Sequence, residues 1–455
     1  MKKYNLIKLL FTGILGVLLA AGCAKNGSNG ATGAAGAQGT QGATGPTLPA
    51  VTWVMPIPGA TDVFMDSVVK VGFSNPMSPT TINSSTFMVS TGGVNVTGTV
   101  SYNAGSQTAF FSPNLPLSAF GSYTATLSTG IKDTAGNPLT TYTWTFVTGG
   151  SSTPSRLYVG NANTPHNILV FNNATSANGN LAPDRTITSG SFAWPWRLLL
   201  DKASNRLYVS DNSTGHVLVF TNASTLNGAA TPLQDISGTL FTGPSGIWLD
   251  TAHDRLYMGD ETADAIYVFN NISTLNGTVT PDRIIWGANT MINYPEFLWL
   301  DEKTDSLYVT NYSAHSILVF TSASTMNGDI APSRTITGST ITGPAGIWLD
   351  TSSDQLYIAD SGAHALLMFN NASAINGAVT PDRIVYGAST TFVSPYGIWL
   401  DVATDRIYVA DFSNASIDVF NSVSTINGDV APSRIIKGAN TGFNYPESIW
   451  LDMNP

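Results

Sequence analysis

Six copies of one four-part phrase, about 50 residues apart, leave few folds open to this chain. The word "RLYV" or a close variant begins at Arg156, Arg206, Arg255, Ser306, Gln355 and Arg406, so the intervals are 50, 49, 51, 49 and 51 residues. Each copy carries relatives of "GIWLD", "DRLYVAD", "ILVF" and "PSRTI". These are four strand-like runs with two-residue alternation, and none is long enough to form a stacking helix. A repeat of this length means a solenoid or a propeller, and four strands per unit select a propeller blade.

The ends of the array point to closure. The first copy starts at Arg156 without its "GIWLD" partner, while an orphan "SIWLD" stands at Ser448 to Asp452. Placing that last strand beside the first completes a sixth blade and removes an unpaired edge. The order P-x-G-I-W-L-D, L-Y-V-A-D, H-x-L-x-x-F resembles NHL repeats over residues 155–455. The resemblance implies that "GIWLD" is the innermost strand and "PSRTI" the rim. It implies little about activity, because this fold carries enzymes, binding modules and scaffolds alike.

The amino terminus reads as an address. Lys2, Lys3 and Lys8 precede the apolar run Leu9 to Ala21, which is too short for an ordinary span and has the layout of a secretory signal. It ends in "LLAAGC", and Cys23 is the only cysteine. This resembles a bacterial lipobox, with Ala20 where Leu is commoner. The resemblance implies a signal over residues 1–23, lipidation of Cys23, and export to the cell envelope on a membrane anchor. Ala24 lacks the Asp that signals inner-membrane retention, which favours the outer membrane or cell surface.

Residues 24–49 carry Gly at 27, 30, 33, 36, 39, 42 and 45. Glycine at every third place is the collagen signature. With Pro46 as the only proline of the triplets, two readings stay open. One is a flexible spacer holding the folded part about 25 to 30 Å from the lipid; the other is a trimerising stalk.

From residue 50 to 149 the text changes to short alternating runs such as "SVVKVGF", "TAFFSP" and "YTWTFVT", separated by turn clusters. About seven strands in roughly 100 residues read as an antiparallel sandwich. The words "PIPGATDV", "FSNPMSPTTINSSTF" and "IKDTAGNPLTTYTWTF" resemble an SbsA-type bacterial Ig-like domain, which implies a spacer or adhesive unit. Asp133 and Asn137 in "DTAGNP" read as a self-capping turn rather than a calcium site. The fold class is therefore all-β: an Ig-like β-sandwich followed by a six-bladed β-propeller closed by the C-terminal strand.

Of the 455 residues, 43% are hydrophobic and 11% charged, and the net charge is −10 with no basic run after Lys8. Counterion release, which drives nucleic-acid binding, has nothing to act through, so nucleic acid is not an expected partner.

Residues shared by the copies read as scaffold. Trp248, Trp299, Trp348, Trp399 and Trp450, with Leu199 in the remaining blade, are expected to pack between blades. Asp201, Asp250, Asp301, Asp350, Asp401 and Asp452 end the inner strand and are expected to cap the turn that follows. The glycines of the "NG" pairs, Gly179, Gly228, Gly277, Gly328, Gly377 and Gly428, suit left-handed turns. His166, His216, His315 and His364 fall at separate corners, too far apart for one metal ion.

Function is sought where the copies disagree. The residues after the proline that opens each inner strand are Trp196, Ser245, Glu296, Ala345, Tyr396 and Glu447, expected at the mouth of the central channel. "NYPE" occurs at Asn293–Glu296 and Asn444–Glu447, three blades apart, and the same two blades carry Asn161 and Asn311 where the others have Asp. A duplicated three-blade ancestor would produce this. So would a ligand site in which Glu296 and Glu447 accept hydrogen bonds while Trp196 and Tyr396 offer ring faces.

Paired carboxylates can cleave glycosides when about 5 to 9.5 Å apart, and some six-bladed propellers are lactonases or lyases. Here the inner strands carry Ile, Trp and Leu, and no G-x-S-x-G elbow occurs. The expectation is non-catalytic binding of an extracellular protein or glycan, or surface adhesion, with no cofactor and no metal. The alternatives are a self-assembling surface component and a propeller hydrolase or lyase.

Overall fold

The structure, a computed structural model, describes residues 48–149 and 155–453. The signal segment, Cys23 and all but the last two residues of the 24–49 tether lie outside them.

The described residues from 155 onward form six blades of four antiparallel strands, three of which gain a two-residue parallel strand from the next blade at the rim. In blade 2, which shows the plan, the strands run Pro195–Asp201, Arg206–Asp211, His216–Thr221 and Gln234–Ser237 from the axis outward. Blades 3 to 6 repeat it, their inner strands being Pro244–Asp250, Pro295–Asp301, Pro344–Asp350 and Pro395–Asp401. The two middle strands of each blade do not alternate as expected. Both of their faces are buried, as in Leu207 to Asp211. The reason is that each blade is sandwiched between two others, so only the outer strands keep a polar side. Cores accordingly form between blades: Tyr257, Ile266 and Val268 of blade 3 pack on Leu298, Leu300 and Val309 of blade 4.

Inner strands also crowd around the axis, and two glycines show how closely. A Cβ at Gly246 would lie 2.7 Å from the Phe297 Cα, and one at Gly397 would lie 2.7 Å from the Glu447 carbonyl oxygen. No side chain fits there.

Blade 1 is completed by the chain terminus. The strand Pro446–Met453 pairs antiparallel with Ser155–Asn161, in register from Ser155 opposite Met453 to Gly160 opposite Ser448; a bulge at Glu447 then sets Asn161 opposite Pro446. Lys202 of blade 2 fastens this strand, with its Nζ 2.7 Å from Asp452 Oδ1 and 2.6 Å from the Met453 carbonyl.

A second ring of bonds runs round the rim. Arg185 donates to the Ala223 and Leu226 carbonyls of the next blade at 3.1 and 2.7 Å. Gln234, Arg283, Arg334 and Arg383 do the same for the blades that follow them. Arg434 closes the circle on Ala174 and Ala177 at 3.2 and 2.9 Å. The arginine of "PSRTI" is thus an inter-blade clasp, and its targets are the turns that carry the "NG" pairs. All six glycines of those pairs have φ between 71° and 80°, as expected. Five of the six inner-strand aspartates cap their turns, for example Asp201 with the Ala203 N–H at 3.0 Å. Asp452 holds Lys202.

Among the described residues, 48–149 hold nine strands in two sheets. Val69–Phe73 and Thr108–Pro113 form the centre of one; Tyr142–Thr148 and Ser122–Leu127 form the centre of the other. Phe87, Phe111, Tyr123, Trp144 and Phe146 fill the space between. Asp133 accepts from the Ala135 and Asn137 N–H groups at 3.0 and 2.8 Å, the turn expected from "DTAGNP".

The sandwich docks on the propeller face that carries the turns between first and second strands. Ser101 Oγ donates to Asp405 Oδ2 at 2.5 Å, and the Thr175 hydroxyl donates to Asp66. Both propeller residues lie on that face, in blades 6 and 1, on either side of the closing seam.

Removing residues 446–455 strips blade 1 of its inner strand and is expected to destabilise the protein by roughly 5 kcal/mol or more. R434A breaks one rim clasp and is expected to cost about 1 to 3 kcal/mol. Thermal melting of the two variants checks both; an unchanged melt after truncation would contradict the closed ring.

Candidate functional site

The face opposite the sandwich carries the loops between second and third strands and the approaches to the inner strands. Asp211, Asp260, Asp360 and Asp411 end the second strands and tie these segments together. Asp260 accepts from the Thr242 N–H at 2.7 Å, and Asp411 from the Val393 N–H at 2.7 Å.

In the two "NYPE" blades the same place needs a donor as well. Asn311 accepts from the Asn293 N–H at 2.6 Å and donates to the Met291 carbonyl at 2.8 Å. Asn161 accepts from the Asn444 N–H at 3.1 Å and donates to the Gly442 carbonyl at 2.9 Å. Each Asn lies opposite the proline that precedes a glutamate, Asn311 across from Pro295 and Asn161 across from Pro446. An amide there keeps the loop bonds and removes a carboxylate from beside a buried carboxyl. The Asn of the two "NYPE" blades is thus matched to loops that offer one donor and one acceptor.

Trp196, Glu296, Tyr396 and Glu447 do converge. Trp196 Nε1 donates to Glu296 Oε1 at 3.0 Å. These residues start the inner strands of blades 2 and 4, which are not neighbours, so the bond crosses the axial channel. One residue further along the same strands, the Arg197 guanidinium lies 4.3 Å from the Phe297 ring centroid and fills the channel below.

The expectation of an open mouth is corrected at this point. Glu296 and Glu447 are fully buried, Trp196 is 7% exposed, and Tyr396 is only half-buried. The cause is the aromatic cover. Tyr294 packs on Tyr312, Tyr312 on Tyr396, Tyr396 on Phe412 and Phe412 on Tyr445, with centroid separations of 5.6, 6.4, 5.3 and 4.5 Å. Trp194 covers Trp196 at 5.6 Å. Tyr294 and Tyr445 hold left-handed backbone conformations, with φ of 61° and 57°. That is uncommon for bulky residues and costs about 1 to 3 kcal/mol each.

Burial raises the acidities here. Desolvation pushes the Glu296 and Glu447 carboxyls well above the ordinary value of 4.5; the Glu261 charge raises Glu296, and the charges of Glu296 and Glu261 raise Glu447. Glu261 is itself pushed up to about 7 by burial, against hydrogen bonds from Tyr294 and Asn212. Burial and the nearby carboxylates also raise the Tyr294 and Tyr396 phenols, which stay protonated donors. Both oxygens of Glu447 and Oε2 of Glu296 and of Glu261 are buried without a hydrogen-bond partner among the described residues.

Glu261, Tyr312 and Phe412 also belong to this face and were not among the residues expected from the sequence. These follow the aspartate or asparagine that ends the second strand, where the copies read Ala162, Asn212, Glu261, Tyr312, Ser361 and Phe412. That variety was the available signal.

The expected scaffold residues behave as scaffold, with one addition. From Trp248 through Trp299, Trp348 and Trp399 to Trp450, successive indoles lie 4.4 to 4.5 Å apart. They make an arc round the lower channel, and Leu199 occupies the remaining place. The histidines bond locally, His216 to Asp235 at 2.6 Å and His166 to the Ala162 carbonyl at 2.9 Å. Among the described residues no group of three or more His, Cys, Asp or Glu is arranged to hold a metal ion.

A carboxyl whose folded pKa is raised keeps its proton where the unfolded chain has lost it. Stability therefore falls as pH rises from about 4.5 through the folded value, by up to about 1.4 kcal/mol per pH unit for each group. E447Q removes that loss. The variant is expected to melt with wild type near pH 4 and above it near pH 8, and melting curves across that range check the sign.

Comparison with known proteins bears on the two domains separately. Residues 46–148 match the bacterial Ig-like domain family Big_5. No curated protein matches the chain. The propeller is similar to solved structures at low identity. One is a nidogen/laminin complex, 16% identical over 66% of this chain and 98% of that one, with a TM-score of 0.44. Another is a candidate 6-phosphogluconolactonase of Bacteroides fragilis, 13% identical over 66% and 98%, with a TM-score of 0.43. A third is a protein of unknown function from Bacteroides caccae, 11% identical over 67% and 100%, with a TM-score of 0.45.

Proposed function

We propose that the chain is an exported, lipid-anchored envelope protein that displays its propeller for non-catalytic capture of an extracellular ligand, a protein or a glycan, at the axial mouth. The anchor rests on Cys23 in "LLAAGC". The orientation rests on the sandwich, which occupies one propeller face and leaves the mouth on the other.

The observation that carries the reading is the set of partnerless carboxyl oxygens of Glu296 and Glu447 beneath an aromatic cover. A buried acceptor without a donor costs about 1 to 3 kcal/mol. Left-handed tyrosines add strain to the same place. Cost concentrated where scaffold needs are already met marks a site kept for a ligand.

A second reading, glycoside cleavage, is favoured by the same carboxyls, since a buried carboxyl with raised pKa is what a general acid needs. The two readings separate in one experiment. The full chain is screened against glycan and matrix-protein arrays, and every glycan bound is assayed for release of reducing ends. Capture without cleavage is expected, lost at least 10-fold in the W196A/E296Q/E447Q variant. Unchanged capture in that variant would remove the mouth from consideration, and reducing ends would favour the hydrolase. Incorporation of labelled palmitate into wild type but not C23S is expected; equal labelling would reject the anchor.

A further inference from the structure

Three acceptor oxygens face the axis with nothing to accept: Oε2 of Glu296 and both oxygens of Glu447, in side chains that are fully buried. A third carboxyl, Glu261, is close enough to raise both of the others. The ion pairs of the described residues join Asp452, Asp235 and Asp250 to Lys, Arg or His, and none of them reaches these glutamates. The guanidinium that shares the channel, Arg197, lies over the Phe297 ring, and burial lowers its pKa to about 9 with no carboxylate holding it up. The site thus gathers buried carboxyls and aromatic faces, and no ion pair among the described residues brings a cation to those carboxyls.

That combination discriminates among ligand chemistries. A neutral hydroxyl can pair with a carboxyl but does nothing to favour its ionised form in a desolvated place, whereas a cation does. Calcium or magnesium asks for six or more oxygens, more than these carboxyls and ring faces supply. An alkylammonium offers three N–H donors, one positive charge, and an apolar stem suited to the aromatic passage above.

We propose that the axial pocket of Glu296 and Glu447 binds a primary alkylammonium group, admitted when the Trp196 and Tyr396 rings turn aside. The inference rests on the capture reading above and names its ligand chemistry. The ammonium can come from a lysine side chain or from an amino sugar.

The test is calorimetric titration of the full chain at pH 7.5 with n-butylammonium chloride, 1-butanol and calcium chloride, followed in parallel by tryptophan fluorescence. Saturable butylammonium binding with a Kd in the millimolar range or tighter is expected, with a change in emission as Trp196 leaves Glu296. E447Q and E296Q, checked by melting for an intact fold, are each expected to bind at least 10-fold more weakly, and 1-butanol and calcium are expected to be inert. Competition by Nα-acetyl-lysine amide or by glucosamine, each against its N-acetylated counterpart, then distinguishes the two sources. The proposal is overturned if butylammonium does not saturate, if 1-butanol or calcium binds as well, or if E447Q binds as tightly as wild type. A neutral glycan captured at the mouth while butylammonium is inert would overturn this inference alone. Butylammonium binding with no capture on either array would instead overturn the display reading.

Discussion

The molecule depends on one pairing, that of Pro446–Met453 with Ser155–Asn161. Without it, blade 1 has no inner strand, the second strand of that blade shows an open edge, and the circle of inter-blade cores is broken. The rim clasps repeat the closure at larger radius, where Arg434 reaches across the same seam to blade 1. The sandwich grips blades 6 and 1 on both sides of it through Asp405 and Thr175. Three independent sets of contacts therefore converge on the one joint that chain connectivity does not make. Glu447 sits on the closing strand itself, so closing the ring and assembling the pocket are the same event.

The pocket is an electrostatic exception within a regular scaffold. Of the six heads of the inner strands, Ser245 and Ala345 are small and Trp196 and Tyr396 aromatic, while blades 1 and 4 place buried carboxyls there. Asn161 and Asn311, opposite the prolines that precede those carboxyls, hold the adjoining loops. Trp196 supplies one N–H, and the raised tyrosines stay protonated nearby. What the surroundings do not supply is a positive charge. Arg197, next in the chain after Trp196, lies over the Phe297 ring instead.

The two faces of the propeller divide the work. The face of the first-to-second strand turns is built from short, self-capping loops, and it receives the sandwich through hydroxyl–carboxylate bonds. The opposite face carries the loops whose residues differ most from copy to copy, with the aromatic residues among them. Varied loops on a rigid ring are the usual way a repeat fold acquires a specific surface, because substitutions there do not disturb the inter-blade cores.

Period, strand count and the displaced "SIWLD" determined the number of blades, the closing strand and the inner-to-outer order, because each follows from local hydrophobic pattern and from the need to pair edges. The turn roles of the aspartates and of Gly179 and its counterparts were equally readable, since a turn is a matter of a few successive residues. Burial was not. The double-faced burial of the middle strands arises from the neighbouring blades, one repeat away in the chain, and the covering of Glu296 in part from Trp196, two blades away. Glu261 and Tyr312 join the site for the same reason: only the ring, once closed, brings the heads of separate blades within hydrogen-bonding distance of one axis.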